Sequence, residues 1–455
     1  MPRMELTSKK TLVLGAGKSG VASARFLARK GAIVALHDRK PVAEWGEAAA
    51  SLRDEGVGLV DGDIPSWLLD QIELVVISPG IPTGVIPARY VDRKDGEVIG
   101  EIELAFRFMK GRIVGITGSN GKTTTTTLVG EILRRDGLET FVAGNIGTPL
   151  IEIAEQTTEN SWTVVETSSF QLETIKSFRP NIGICLNVTP NHMDRYDFFS
   201  DYAAAKHRLF MNQTEDDLAI LSADNETTAS WGGGLLAHVT RFSVTRELEE
   251  GLFLRGRELV SRAGSSEKVL MTRDDIRVKG IHNVENVLAA SAAALACGVE
   301  PETIRDAVRD FRGVEHRLEF VREVRGVSFY NDSKATSVDA AVKAVNSFEG
   351  ESGKTVLILG GKGKNAPYAP LVEPIGRSVG SVVVIGADAA RITEELSPFV
   401  AITEASSMSE AVKKAFELAG EGDRVLLAPA CASYDMFETF EHRGRVFKEE
   451  VGKLG

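Results

Sequence analysis

A chain of 455 residues, 43% of them hydrophobic, has material for about three domains of ordinary core size. Its formal net charge of −11, with acids and bases interspersed, excludes a general nucleic-acid or anionic-membrane binder but allows a local basic pocket for anionic small substrates. Three scattered cysteines, Cys185, Cys297 and Cys431, exclude a disulfide framework and a C-x-x-C zinc site, and fit buried thiols in a reducing compartment.

The start, Met1 to Lys10, is polar and lacks the apolar stretch of a signal peptide. No apolar run reaches the ~18 residues of a membrane span. A cytoplasmic protein with no membrane insertion is expected. The first segment opens with an apolar strand, Thr11 to Leu14, and a Gly15-x-Gly17-x-x-Gly20 turn. A helix over Val21 to Lys30, a strand over Ala32 to Leu36 ending at Asp38-Arg39, and a buried-type strand over Leu74 to Ile77 follow. This alternation predicts a small doubly wound α/β unit ending in a helix near Glu101 to Met109.

The second segment begins with a strand over Arg112 to Ile116. Next come Gly118-Ser119-Asn120-Gly121-Lys122-Thr123-Thr124 and a helix to Arg135. Further strands are expected over Thr140 to Ala143, Trp162 to Glu166, Ile182 to Asn187 and Leu218 to Ser222. Short β-type runs with charged turns from His238 to Val278 predict an antiparallel annex. Helical patterns return over His282 to Cys297 and Pro301 to Phe311. From Gly313 onward α/β alternation resumes, with strands over Val327 to Tyr330, Thr355 to Leu359, Ser381 to Ile385, Val400 to Thr403 and Arg424 to Ala428.

Strand, Gly-rich turn, Lys-Thr and helix make a phosphate-binding layout. Backbone N–H groups and the positive helix end cradle anionic oxygens. Lys122 can reach outer phosphates, and the Thr123 hydroxyl can sit on Mg²⁺. Position 116 is Ile, so the register differs from the strict G-x-x-x-x-G-K-[ST] pattern. The Gly15 to Gly20 turn with Asp38 suits a nicotinamide dinucleotide, another nucleotide diphosphate, or a plain structural turn. The shortness of the segment favours a single nucleotide such as a UDP-sugar. Glu166, at a strand end beside the phosphate loop, is placed to hold Mg²⁺. His192 follows a strand in the same way. By spacing alone, Lys206 reads as a solvated helix lysine.

These motifs, with Gly144-Asn145-Ile146-Gly147, Ser168-Ser169-Phe170-Gln171-Leu172, Asn191-His192-Met193-Asp194-Arg195, His282-Asn283, Asn286, His316-Arg317, Asn331-Asp332-Ser333-Lys334-Ala335-Thr336 and Pro429-Ala430-Cys431-Ala432-Ser433, run through the whole chain. Together they resemble the Mur ligase family, the ATP-dependent amide-forming enzymes of peptidoglycan synthesis, and within it the D-glutamate-adding branch. The resemblance implies an α/β protein of three domains. These are a Rossmann-like UDP-substrate domain (1–108), a central P-loop ATP domain with a small antiparallel annex (109–312), and a Rossmann-like amino-acid domain (313–455).

It also implies roles by position. Ser19, Asp38, Arg39, Asn145 and His192 would contact the UDP substrate. Gly118, Ser119, Asn120, Gly121, Lys122, Thr123, Thr124, Asn286, Arg317 and Asp332 would bind ATP. Thr123, Glu166, His192 and Lys206 would hold Mg²⁺ at two sites, with Lys206 carbamylated; Lys122, His192 and Lys206 would be catalytic. Thr336, Lys364, Ser433 and Phe440 would surround D-glutamate. The implied substrates are ATP, UDP-N-acetylmuramoyl-L-alanine and D-glutamate, joined through an acyl phosphate by a cytoplasmic monomer with no nucleic-acid partner. Rival readings are a folylpolyglutamate-synthase-like glutamate ligase, which lacks such an N-terminal domain, an NAD(P)-dependent oxidoreductase, and a P-loop ATPase switch.

Overall fold

The structure, a computed structural model, describes residues 4–87, 90, 96–193, 195–278, 280–363 and 366–455. It holds three sheets, each built around parallel strands. The first comprises β1 (Lys10–Leu14), β2 (Ile33–Asp38), β3 (Gly58–Asp61), β4 (Leu74–Ile77) and β5 (Glu97–Gly100), in the order β3-β2-β1-β4-β5. The central strands of such a sheet are covered on both faces and so need continuous apolar runs; Leu12, Val13, Leu74 and Val75 are fully buried.

The second sheet comprises β6 (Arg112–Thr117), β7 (Thr140–Gly144), β8 (Trp162–Glu166), β9 (Ile182–Cys185), β10 (Leu218–Ser222), β11 (His238–Ser243), β12 (Gly251–Arg255), β13 (Glu258–Ala263) and β14 (Ser266–Thr272). Its order is β14-β13-β12-β11-β10-β9-β6-β8-β7. The expected antiparallel annex is smaller than the sequence suggested. β11 runs parallel to β10, and β12 opens with a short parallel pairing to β11. Only β12-β13-β14 form an antiparallel meander. The helix Glu226–Ser230 carries the chain back between β10 and β11, which makes a parallel pair. The turns at Gly256 and Gly264, both with left-handed backbone, close tight hairpins.

The third sheet comprises β15 (Glu319–Val324), β16 (Val327–Asn331), β17 (Thr355–Gly360), β18 (Val379–Ile385), β19 (Ala401–Glu404) and β20 (Arg424–Leu427), in the order β15-β16-β20-β17-β18-β19. Only β15 runs antiparallel, against β16.

The chain divides into two compact units. The first runs to Asp275 and includes Val284–Val308; the second takes Ile276–Asn283 and Arg309–Gly455. The first unit holds two sheets because one core serves both: Phe26 and Ile102 join the same buried cluster as Phe178 and Leu209. The short helix Glu101–Phe106 bridges them. The Glu103 carboxylate, fully buried, accepts the Ser177 hydroxyl and the backbone N–H groups of Lys176, Ser177 and Phe178 and pairs with Arg107. Burial alone would raise its pKa, but these partners hold it below the usual carboxylate range.

Candidate active site

In the first unit the phosphate-type loop leaves the carboxyl end of β6, flanked by β8 and β9. The strand order reverses there, and open parallel sheets bind ligands at such a point. Gly118 and Gly121 both have positive φ, 153° and 82°. A Cβ on Gly121 would sit 2.3 Å from Asn286 Oδ1, so glycine lets the loop close on that side chain. Asn286 Oδ1 also accepts the Thr125 hydroxyl at 3.2 Å. Asn187 braces the loop from β9: its carbonyl accepts Ser119 N–H and its side-chain oxygen accepts Asn120 N–H, both at 2.9 Å. Tyr202 Oη lies 3.0 Å from Ser119 Oγ.

Two lysines converge on one carbonyl of this loop. Lys122 Nζ donates to Gly118 O at 2.8 Å and to Ser119 O at 3.1 Å. Lys206 Nζ donates to the same Gly118 O at 2.9 Å. The residue-only expectation for Lys206, a solvated helix lysine, is wrong: the side chain is 1% exposed and lies over the Tyr202 ring. Its helix, Phe199–His207, turns Tyr202, Ala205 and Lys206 inward. Burial, with the Lys122 charge beside it, lowers its pKa to about 7, against smaller pulls from Cys185 and Glu166.

Glu166 ends β8 and is 1% exposed. Its Oε1 accepts Asn145 Nδ2 at 2.9 Å. Its Oε2 is buried with no hydrogen-bond partner, an anionic oxygen that a cation would satisfy. Thr123, on the first turn after the loop, is buried too. Among the described residues no three His, Cys, Asp or Glu side chains come together as a metal cage. Mg²⁺ suits such a sparse set, since it takes one or two carboxylates and completes its shell with water and phosphate oxygens. His192 is exposed, in a turn with left-handed backbone (φ 56°), and its ring meets Phe170 edge-on at 5.0 Å.

The first sheet has its own reversal, between β1 and β4. A cleft of about 460 Å³ opens at the strand ends, lined by Asp38, Arg39, Asp63, Gly80, Ile81 and Val85 among others. That volume is in the range of small-ligand sites. Gly15 (φ 99°) packs on Ser78, and a Cβ at Gly20 would lie 1.8 Å from Gly15 O. Gly17 faces open space. Ser19 is half-buried and Arg39 exposed. Asp38 does local work: Oδ2 accepts Ala16 N–H at 2.8 Å and Oδ1 accepts Lys40 N–H at 3.0 Å. Burial acts to raise its pKa, but those N–H groups and the nearby His37 and Lys40 hold it below the usual carboxylate range. Lys18 Nζ reaches Gly147 O at 2.5 Å, so this turn touches the Asn145 loop.

In the second unit the loops after β16, β17 and β20 share one sheet edge. Lys362 and Ala432 exchange backbone hydrogen bonds, and Ala430 N–H donates to Ala335 O. Ser433 is buried; Thr336 and Phe440 are half-buried. Lys364 lies outside the described residues. Burial pushes the Asp332 carboxyl up to about 7, against the Leu318 N–H and the charges of Arg317 and Lys334. Arg443, fully buried, supports the edge from behind: it donates to Ser333 Oγ, Ser333 O and Cys431 O. The Asn331 amide nitrogen lies 3.0 Å from His316 Nδ1 and also donates to Glu319 Oε2 at 3.0 Å.

Asn187, Tyr202, Asn331 and Arg443 are supporting residues to which the sequence alone gave no role. A polar residue at or just past the end of an apolar strand is the one signal that marks Asn187 and Asn331; Arg443 sits in a charged helix with no such mark. Four of the six described non-glycine residues with positive φ are His192, Ala430 and, in the segment before β15 that contacts the edge, His316 and Leu318. Strained backbone tends to gather at functional sites. Cys185 and Cys431 are buried and Cys297 half-buried, all as free thiols. No helix among the described residues is long and apolar enough to cross a membrane.

Comparison with known proteins agrees along the chain. Residues 9–100 match the Mur ligase MurD-like N-terminal domain, 116–294 the Mur ligase middle domain and 316–431 the Mur ligase glutamate ligase domain. The chain is 48% identical to the UDP-N-acetylmuramoylalanine--D-glutamate ligase of Koribacter versatilis and 47% identical to that of Solibacter usitatus, with 99% of each chain covered. Among solved structures it resembles the UDP-N-acetylmuramate-alanine ligase MurC of Thermotoga maritima (TM-score 0.58, 18% identity, 98% of this chain and 100% of that one). It also resembles a pseudomurein peptide ligase type C from Methanothermus fervidus (TM-score 0.55, 20% identity, 98% and 100%). At these identities the solved structures speak to fold alone.

Proposed function

The chain belongs to the Mur ligases, and from that premise we propose that it joins D-glutamate to UDP-N-acetylmuramoyl-L-alanine in cytoplasmic peptidoglycan precursor synthesis, using ATP. The single observation that carries this reading is the convergence of Lys122, Lys206 and the unpaired Glu166 oxygen at the Gly118–Lys122 loop. The substrate carboxylate attacks the γ-phosphorus of ATP and ADP leaves, giving an acyl phosphate. The D-glutamate amine then attacks the acyl carbon, phosphate departs, and the nitrogen loses a proton as the amide forms. Both partners of the first step are anionic, so their approach needs positive charge, which Lys122 brings on the loop itself. Mg²⁺, when bound, neutralises phosphate charge; Thr123, Glu166, His192 and Lys206 would hold it, at two sites.

Carbamylation of Lys206 belongs to the same proposal. Its amine adds to CO₂ and releases a proton, which replaces a cation crowded against Lys122 with an anionic ligand. The cleft at Asp38 and Arg39 takes the UDP end, with Ser19, Asn145 and His192 along the way. Asn286, Arg317 and Asp332 complete the ATP contacts. Thr336, Ser433, Phe440 and Lys364 take D-glutamate, whose two carboxylates need donors or cations once they leave water. The domain division 1–108, 109–312 and 313–455 and a monomeric state are part of this reading. ATP-dependent phosphate release, assayed with UDP-N-acetylmuramoyl-L-alanine and a panel of amino acids, tests it. Turnover with D-glutamate and not L-glutamate is expected; equal use of both would refute the D-glutamate assignment.

A further inference from the structure

We propose that Arg195 is a positioning residue that couples the nucleotide cleft of the first sheet to the His192 turn beside the phosphate loop; this rests on the assignment of the cleft to the UDP substrate. The Arg195 guanidinium forks between two carbonyls of the cleft lip, with Nη1 on Pro79 O at 2.9 Å and Nη2 on Ile81 O at 3.2 Å. It lies over the Phe170 ring at 4.0 Å and faces the Glu173 carboxylate at 3.8 Å. Its own backbone N–H closes the turn on His192 O at 3.0 Å.

The contacts form a chain with no slack. Gly80, Ile81 and Pro82 line the cleft, and the lip is braced against Gly15, where a Cβ would meet Ser78 at 2.9 Å and Ile81 Cδ1 at 3.0 Å. Phe170, under the guanidinium, touches the His192 ring and stacks on Tyr196. Tyr196 Oη in turn bonds Glu173. Arg195 therefore fixes the span from the cleft lip to the His192 ring. A substrate held in the cleft must present its reactive carboxylate at one distance, and that distance is set through this residue. Only arginine meets both demands, since a planar fork can donate to two carbonyls while lying flat on an aromatic ring.

The test uses the full chain with Arg195→Ala, Arg195→Lys and Phe170→Leu, with thermal melts beside kinetics. The two Arg195 variants are expected to lose roughly 10²-fold in kcat, the scale of a small misplacement of reacting groups. The KM for UDP-N-acetylmuramoyl-L-alanine rises, the KM for ATP stays unchanged, and Phe170→Leu falls in the same direction. UDP alone, titrated by calorimetry, keeps its wild-type affinity, because the cleft walls remain. A second measurement needs no turnover: the change in ATP affinity caused by saturating UDP-N-acetylmuramoyl-L-alanine is expected to vanish in Arg195→Ala. Wild-type kcat in Arg195→Lys would overturn the proposal. So would equal coupling in wild type and Arg195→Ala, or a uniform loss of ATP and UDP binding with a lowered melting temperature. If the wild type turns over no amino acid yet its coupling is lost in Arg195→Ala, the function assigned above fails and the role of Arg195 stands.

Discussion

Two glycine-rich turns in the first unit start from the same plan and end with opposite interiors. Each leaves the strand at which its sheet order reverses, and each opens a helix. At Gly118–Lys122 the turn is filled by cations, its own Lys122 and Lys206 from a distant helix, which share one carbonyl, and Asn187 and Asn286 close the rest. At Gly15–Gly20 the turn is held from behind by an acid, Asp38, and its outward residue, Gly17, faces open space. On the reading proposed above, one turn carries charge to the phosphate it acts upon. The other turns its one cation, Lys18, onto Gly147 O and leaves backbone N–H groups and room, which on the same reading suits a diphosphate that is held and not attacked.

The largest break in this contrast is Lys122→Ala. Losing a charge contact made in the transition state is expected to lower kcat by roughly 10²–10³-fold, with thermal unfolding little changed. Wild-type turnover in a folded variant would end the phosphate-loop assignment. Next, Lys206→Ala is expected to be inactive while short carboxylic acids restore part of the rate, because they replace a carbamate's charge. Carbon-13 NMR of the native enzyme in labelled bicarbonate should show the carbamate; an active enzyme without that signal refutes it.

A pair of alanines sharpens the comparison at the level of backbone. Gly121→Ala meets Asn286 at a φ of 82° and should cost about 1–3 kcal/mol of stability together with ATP affinity. Gly17→Ala meets nothing, so its melting temperature should hold while the KM for the UDP substrate rises. The reverse pattern would mean that the first turn is merely structural. The smallest effect expected is that of Asp38→Asn. Asp38 is held below the usual carboxylate range in the folded state, so its contribution to stability is complete above that range and is lost as pH falls through the lower folded value. Melting curves should separate wild type from Asp38→Asn at neutral pH and converge in strong acid, once the folded carboxylate is protonated.

Much of this contrast is legible in the chain itself. β4, β8 and β10 fall where apolar runs place them, since buried parallel strands leave few polar positions. β3, β5 and β15 escaped, because sheet-edge strands such as Glu319–Val324 carry charged residues that blur the pattern. The glycine turns and Glu166 stand at strand ends, and His192 lies in the loop that follows β9, so all can be picked out. Lys206 cannot: its burial depends on Tyr202 and on a carbonyl 88 residues earlier, and helical spacing does not encode that. The unpaired Glu166 oxygen and the Arg195 fork likewise arise only when separate segments meet.

The buried Glu103 gives the first unit a property of a different kind. Its carboxylate grips the main chain at Lys176, Ser177 and Phe178, and N–H donors are supplied by almost any residue type. Hydrogen bonds to a charged group contribute about 1.5–3 kcal/mol each, and beside the Ser177 hydroxyl and Arg107 the grip asks little of the partner side chains. The joint between the first two sheets is thus a socket cut for backbone shape. A chimera exchanging residues 1–108 between relatives should dock through it if the incoming module brings an acid at position 103 and the receiving loop keeps its backbone course and a hydroxyl at position 177.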